Sequence, residues 1–288
     1  MSSSSSSSSS SDNGGGAGAQ NVTVSNHPVL LHKLLKLRDK RTPNKVFREL
    51  LREITFYLGY EATRDLVGRP VEVETPVGAC TGQELAERVA LIPVMRAGLG
   101  MVEPMLQVLP KACVHHIGMF RDKFSLQPVL YFNKLPHKVD SDVAIILEPM
   151  IATAGTLSAV VGIVKDWGMP GDKIKVMSLI GSKQGVAYLT AQHPDIHVYV
   201  CAVDDELTEE GFINPGLGDA GDRQFQTRAH AARVSPSPVP FARGAVPTLA
   251  DALPKTTEKG AIEAAAAAAA AGGGGDGDGP ASKRARTE

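Results

Sequence analysis

The stretch Val143-Ala-Ile-Ile-Leu147 most constrains the fold, because its apolar residues run on without alternating with polar ones. A strand of that kind is covered on both faces, as the central strands of a parallel sheet are. Similar short apolar runs recur at Val89 to Met95, Val114 to Met119, Ile174 to Ile180 and His197 to Val203, each followed by a turn of small residues. Leu157, Val160, Val161, Ile163, Val164 and Trp167 predict one helical face ending at Gly168, and Gln184 to Gln192 predicts a shorter helix. Earlier, Leu31, Leu34, Leu35, Val46, Phe47, Leu50, Leu51, Ile54 and Leu58 recur at spacings of three and four and predict two amphipathic helices split at Thr42-Pro43. Strand, turn, helix, strand is the βαβ pattern of an α/β fold with a central, mostly parallel sheet flanked by helices. Ligands of such sheets bind beyond the carboxyl ends of the strands.

The two ends of the 288-residue chain offer no such pattern. Residues 1–20 are Ser- and Gly-rich, and residues 229–288 join a Pro/Ser-rich piece, an alanine run from Ala264 to Ala271, a Gly/Asp piece and a short basic end. Lacking bulky apolar side chains, both are expected to be disordered tails around one domain at 21–228. A formal net charge of -1 argues against a broad nucleic-acid footprint. No apolar stretch approaches the ~20 residues that span a bilayer, so a cytoplasmic protein is expected. The cluster Lys283-Arg284-Ala285-Arg286 reads as solubilising, with a nuclear address as the alternative. Cys80, Cys113 and Cys201 form no Cys-x-x-Cys pair and read as buried thiols. The His115-His116 pair falls within a predicted strand, where the rings face opposite ways and share no metal.

Chemistry is sought in the turns after the strands. Glu148-Pro-Met-Ile-Ala-Thr-Ala-Gly-Thr156 leaves a strand on an acidic residue and enters a helix through small and hydroxyl-bearing ones. Free N–H groups at the helix start, with the Thr153 and Thr156 hydroxyls, make an anion cradle that needs no lysine. Glu148 at its edge is placed to accept from two neighbouring sugar hydroxyls. In Met95-Arg-Ala-Gly-Leu-Gly-Met101, Arg96 sits between small residues and is suited to a two-pronged phosphate contact. Met119-Phe-Arg121-Asp-Lys123 adds positive charge after the next strand. Phe212-Ile-Asn-Pro-Gly-Leu-Gly-Asp-Ala-Gly-Asp222 meets the dinucleotide-binding spacing by letter, but shows neither a clear strand before it nor a helical pattern after it. A rigid loop with exposed main-chain donors and acceptors suits a flat pyrimidine, with Asp219 and Asp222 near the ribose or a hydrated magnesium ion.

Taken together, these four motifs, with His27-Pro28 and Tyr60-Glu-Ala-Thr63, resemble the uracil phosphoribosyltransferase family in order and spacing. The resemblance implies a type I phosphoribosyltransferase-like fold, and formation of UMP and pyrophosphate from uracil and phosphoribosyl pyrophosphate. It implies that Glu148, Pro149, Met150, Ile151, Ala152, Thr153, Ala154, Gly155 and Thr156 hold the ribose 5-phosphate. Arg96 and Arg121 would hold the pyrophosphate, and Ile213, Gly218, Asp219 and Ala220 the uracil edge. Arg121, Glu148 and Asp219 would act in catalysis, and the segment from Arg121 to Leu135 would be a mobile arm over the site. Mg2+ would arrive with phosphoribosyl pyrophosphate, no metal being held by the protein alone. A homo-oligomer and a GTP effector are further implied. Two positions depart from the family, which usually has Asp at Glu148 and Gly at Ala154. They motivate the alternative of a non-catalytic homologue that binds the same ligands as a sensor or partner subunit.

Overall fold

The computed structural model describes residues 21–121 and 128–227, with the side chain of Arg121 left out; both expected tails lie outside the described residues. Its sheet has nine strands. The strands are β1 (Val22–Val24), β4 (Val89–Met95), β5 (Cys113–Val114), β6 (Ile117–Arg121), β7 (Pro128–Asn133), β8 (Val143–Leu147), β9 (Met150–Ile151), β10 (Ile174–Ser182) and β11 (His197–Asp204). The path β1-β11-β10-β8-β4-β6 is parallel throughout, and β7 closes one edge antiparallel to β6. A separate hairpin pairs β2 (Gly68–Glu74) with β3 (Ala79–Leu85), and β12 (Glu206–Leu207) pairs with β13 (Ile213–Asn214). The helices are α1 (Pro28–Arg38), α2 (Asn44–Ala62), α3 (Val102–Val108), α4 (Gly155–Trp167), α5 (Lys183–Gln192) and α6 (Ala220–Phe225). Among the described residues, no helix is long and apolar enough to cross a membrane.

The unbroken apolar run of β8 is explained by two cores, one on each face of the sheet. Val143, Ile145 and Leu147 join Leu51, Ile54 and Leu58 of α2 and Met105 of α3. Ala144 and Ile146 join Leu157, Val160, Val161 and Val164 of α4 and Leu189 of α5. Each such fully buried aliphatic side chain contributes about 2 kcal/mol. The helix α4 ends where expected, at Gly168 with φ 112°, a left-handed conformation that glycine adopts without strain.

Several expectations are corrected. In α1 the core side is Leu30, Leu34 and Leu37, while Leu31 and Leu35 face solvent, because the helix starts at Pro28 and its face is set from there. The run Val114 to Met119 is two strands, parted at His115-His116. Of the three thiols only Cys201 is buried; Cys113 is partly buried and Cys80 is exposed on the hairpin. That hairpin is solvent-facing on nearly every residue, so no apolar run announces it.

Candidate functional site

Parallel pairing of β8, β4 and β6 brings Glu148, Arg96 and Arg121 to the same edge of the sheet. Met95 ends β4 opposite Gly118, and β6 runs on to the Arg121 backbone. Gly98 follows in a tight passage, where a Cβ would meet the Leu147 carbonyl oxygen at 2.2 Å, so only glycine fits.

The acidic turn is built as a cradle. Its outward carbonyls are tied to β10, with the Ser178 hydroxyl donating to Glu148 O at 2.5 Å and the Ser182 hydroxyl to Ala152 O at 2.6 Å. Ala154 occupies the N-cap of α4 with φ 62° and ψ 0°, and no side chain caps the helix. The first N–H groups of α4 are thereby left for an anion. Glu148, Met150, Ala152, Thr153, Ala154, Thr156 and Leu157 line a cavity of about 190 Å³ over that helix start. Pro149 and Ile151 do not reach it. Pro149 accepts from the Leu179 amide and Ile151 is buried beside Gly181 in the sheet, so these two fix the shape of the turn.

A second cavity, of about 230 Å³, shares Glu148, Met150 and Ala152 with the first and is closed by Ala97, Gly211, Phe212, Gly218, Asp219, Ala220 and Gly221. The cradle and the glycine loop therefore adjoin, with Glu148, Met150 and Ala152 in the wall of both cavities. The Ile213 side chain is buried in the core, which leaves its main chain beside the Gly211 and Phe212 that line this wall. Burial pushes the Glu148 carboxyl up to about 8, the negative charge of Asp219 adds to the rise, and a hydrogen bond from the Met150 amide opposes it.

The glycine loop is held from a distance. Arg38 of α1 makes a two-pronged pair with Asp204 at 2.7 Å and also donates to Gly216 O at 2.8 Å, while the Gly216 amide donates to Asp204 at 3.0 Å. Arg223 lies over the Phe47 ring and donates to Leu217 O, Leu37 O and Asp39 O. Contrary to expectation the loop does lie between elements: β13 precedes it and α6 follows, capped by Asp219, which accepts from the Asp222 amide at 2.7 Å. Both are too short to show a periodicity.

Arg96 reaches this loop, donating to Asp222 at 2.8 Å and to the Thr227 hydroxyl at 2.9 Å. It is half-exposed and already paired, so an incoming anion must compete with Asp222. The side chain of Arg121 and residues 122–127 of the expected arm lie outside the described residues; Pro128–Asn133 of that arm is β7. Arg38, Arg223, Ser178 and Ser182 are parts of the site that no sequence motif announced, whereas Asp222 belongs to the glycine run read from the sequence.

Against known families, residues 24–227 match the family described as uracil phosphoribosyltransferase. The chain is 48% identical over 206 residues to a uracil phosphoribosyltransferase of Roseiflexus sp., covering 72% of this chain and 98% of that one. It is 45% identical to one of Clostridium perfringens, over 72% of this chain and 99% of the relative. A solved protein structure from Aquifex aeolicus superposes with TM-score 0.68 at 31% identity, covering 73% of this chain and all of that one.

Proposed function

The chain belongs to the uracil phosphoribosyltransferase family and is an enzyme of the type I phosphoribosyltransferase fold, and from that premise we propose how its residues divide the reaction of uracil with phosphoribosyl pyrophosphate. The observation that carries the proposal is that two cavities share the wall made by Glu148, Met150 and Ala152, one over an uncapped helix start and the other under a glycine loop.

The 5-phosphate would sit on the free amides of α4, with the Thr153 and Thr156 hydroxyls donating. Glu148 would hold the ribose hydroxyls between the two cavities. Uracil would lie under Gly218, Asp219 and Ala220, whose main chain supplies donors and acceptors without a charged side chain. Bond breaking at the anomeric carbon passes through an oxocarbenium-like state, and the Asp219 carboxylate, joined by Glu148 once it ionises, would face the positive charge that develops there. Arg96, on leaving Asp222, and Arg121 would take the negative charge of the departing pyrophosphate. The substrate would be the magnesium complex of phosphoribosyl pyrophosphate, and the neighbouring carboxylates of Glu148 and Asp219 suit a hard dication. Holding base and sugar in line supplies the positional part of the acceleration.

We further propose assembly into a homo-oligomer, a response to GTP and a cytoplasmic place, readings that family membership and the intracellular nature of the substrates support; sedimentation with and without GTP tests the first two. The division of roles is tested by steady-state kinetics with uracil, phosphoribosyl pyrophosphate and Mg2+. Wild-type protein forms UMP and pyrophosphate in equal amounts, and Thr156→Val raises KM for phosphoribosyl pyrophosphate at least tenfold with KM for uracil unchanged. An equal rise in both constants would overturn the assignment.

A further inference from the structure

At the opposite edge of the sheet, before the strands rather than after them, three ligating side chains meet. Cys113 lies in β5 opposite Ala90 near the start of β4, His115 follows it, and Asp140 stands three residues ahead of β8. The length of β8 separates them from Glu148, roughly 15 Å at about 3.3 Å per residue. Cys113 Sγ is 3.3 Å from His115 Nε2, and Asp140 Oδ1 is 3.4 Å from the same nitrogen. All three ligand atoms lie within 4.8 Å of one another.

The convergence on one nitrogen decides between two kinds of chemistry. A nucleophilic relay needs the thiol on one ring nitrogen of the histidine and the carboxylate on the other, so that a proton passes through the ring. Here both face Nε2, which leaves no such path. A shared cation does place sulfur, nitrogen and oxygen around one point. With metal–sulfur near 2.3 Å and metal–nitrogen near 2.0 Å, a tetrahedral centre sets sulfur and nitrogen about 3.5 Å apart and nitrogen and oxygen about 3.3 Å apart. The observed separations are within about 0.2 Å of these.

We propose that Cys113, His115 and Asp140 form a binding site for a borderline-soft divalent cation of the zinc class. A thiolate and an imidazole select such an ion over magnesium, which favours an all-oxygen shell. Ser141, itself buried, lies 3.2 Å from Cys113 Sγ and donates to Asp140 Oδ1 at 3.0 Å, orienting both ligands. His115 is 12% exposed and Asp140 50%, so the ion enters, and a water takes the fourth position, from the Asp140 side. As the sulfur–metal bond forms, the Cys113 S–H bond breaks and its proton leaves to solvent. The bound ion ties β5 to the connection between β7 and β8, which is a structural clamp remote from the proposed chemistry. Spacing in the sequence hides it, since Asp140 is far along the chain from the Cys113-x-His115 pair.

The test uses the full chain, stripped of metal and titrated with Co2+ as a spectroscopic probe, then with Zn2+ as competitor. One Co2+ binds per chain with a near-ultraviolet thiolate band, and Zn2+ abolishes it while raising the melting temperature. Cys113→Ser removes the band, and His115→Gln and Asp140→Asn each weaken Co2+ binding at least tenfold; Cys80→Ser changes nothing. Uracil turnover, which the site does not touch, persists in every variant and reports folding. Because the Asp140 side chain is half-exposed, Asp140→Asn preserves packing even where a change at Cys113 does not. Absence of saturable Co2+ binding, a thiolate band surviving Cys113→Ser, or affinity untouched by Asp140→Asn would each refute the site.

Discussion

The two halves of the proposed substrate site are made in different ways. The phosphate cradle is local: a strand end, small residues and a helix start within nine consecutive positions, from Glu148 to Thr156, supply its wall. The glycine loop is not self-supporting. Its shape depends on Arg38, more than 170 positions earlier, and on Arg223 bonding back to α1 and the residue after it. A site for phosphate can be written into a short segment because helix geometry supplies the donors. A site for a flat neutral base needs main-chain groups fixed in space, and only long-range contacts fix an irregular loop.

The largest expected effect breaks the long-range half. In Arg38→Ala, Asp204 stays buried without its partner and the Gly216 carbonyl loses a donor. Removing one member of such a pair costs about 3 kcal/mol or more. The melting temperature should fall by several degrees and KM for uracil should rise more than tenfold, while KM for phosphoribosyl pyrophosphate moves little. In Arg38→Ala/Asp204→Ala the stability loss should be smaller than the sum of the single losses. If both KM values rise together, the two halves are not separately held.

A second effect, read as a pH dependence, sharpens the boundary between the halves. The Glu148 carboxyl is raised from 4.5 to about 8. The folded protein therefore keeps this proton between those values while the unfolded chain has lost it. Stability contributed by the group is full below about pH 4.5 and falls as pH rises towards 8. Glu148→Gln removes that slope, so its melting temperature should gain on the wild type with rising pH and level off above pH 8. Binding of phosphoribosyl pyrophosphate shows the opposite trend, because only the carboxylate accepts from both ribose hydroxyls. Its KM should fall through pH 8 in the wild type and stay high and flat in the variant. Parallel pH profiles in the two proteins would remove Glu148 from the ribose.

What could be read from the sequence follows the same division. The run Val143–Leu147 announced a central strand, and Leu157 to Trp167 a helix, because the unbroken apolar run of the one and the apolar periodicity of the other report burial directly. Glu148, Thr153 and Thr156 could be found because the cradle lies in a single turn. The burial of the Ile213 side chain could not be read, since nothing in Phe212-Ile-Asn says which residue turns into the core; β12 pairing with β13 decides that. Arg96 was read as waiting for a phosphate, yet it is paired with Asp222, a contact between residues 126 positions apart. Ser178 and Ser182 were invisible for another reason. They lie in a fully buried strand, where a serine reads as a small core residue until its hydroxyl is seen to hold a carbonyl of the neighbouring turn.

The smallest effect concerns the one residue at which the local half is strained. Ala154 takes a left-handed conformation, where Cβ crowds the backbone at a cost of about 1 kcal/mol relative to glycine. The conformation turns the chain into α4 with its first amides unobstructed, so it is required by the cradle itself. Ala154→Gly relieves the strain in the folded state but also loosens the unfolded chain, and the two contributions oppose each other. Relief should win at a positive φ, giving a rise of about 1–3 °C in melting temperature. If the alanine also limits how well the helix start fits a phosphate, KM for phosphoribosyl pyrophosphate should drop up to threefold while KM for uracil stays constant. A lower melting temperature together with an unchanged KM would mean that the surrounding turn, and not residue 154, sets the shape of the cradle.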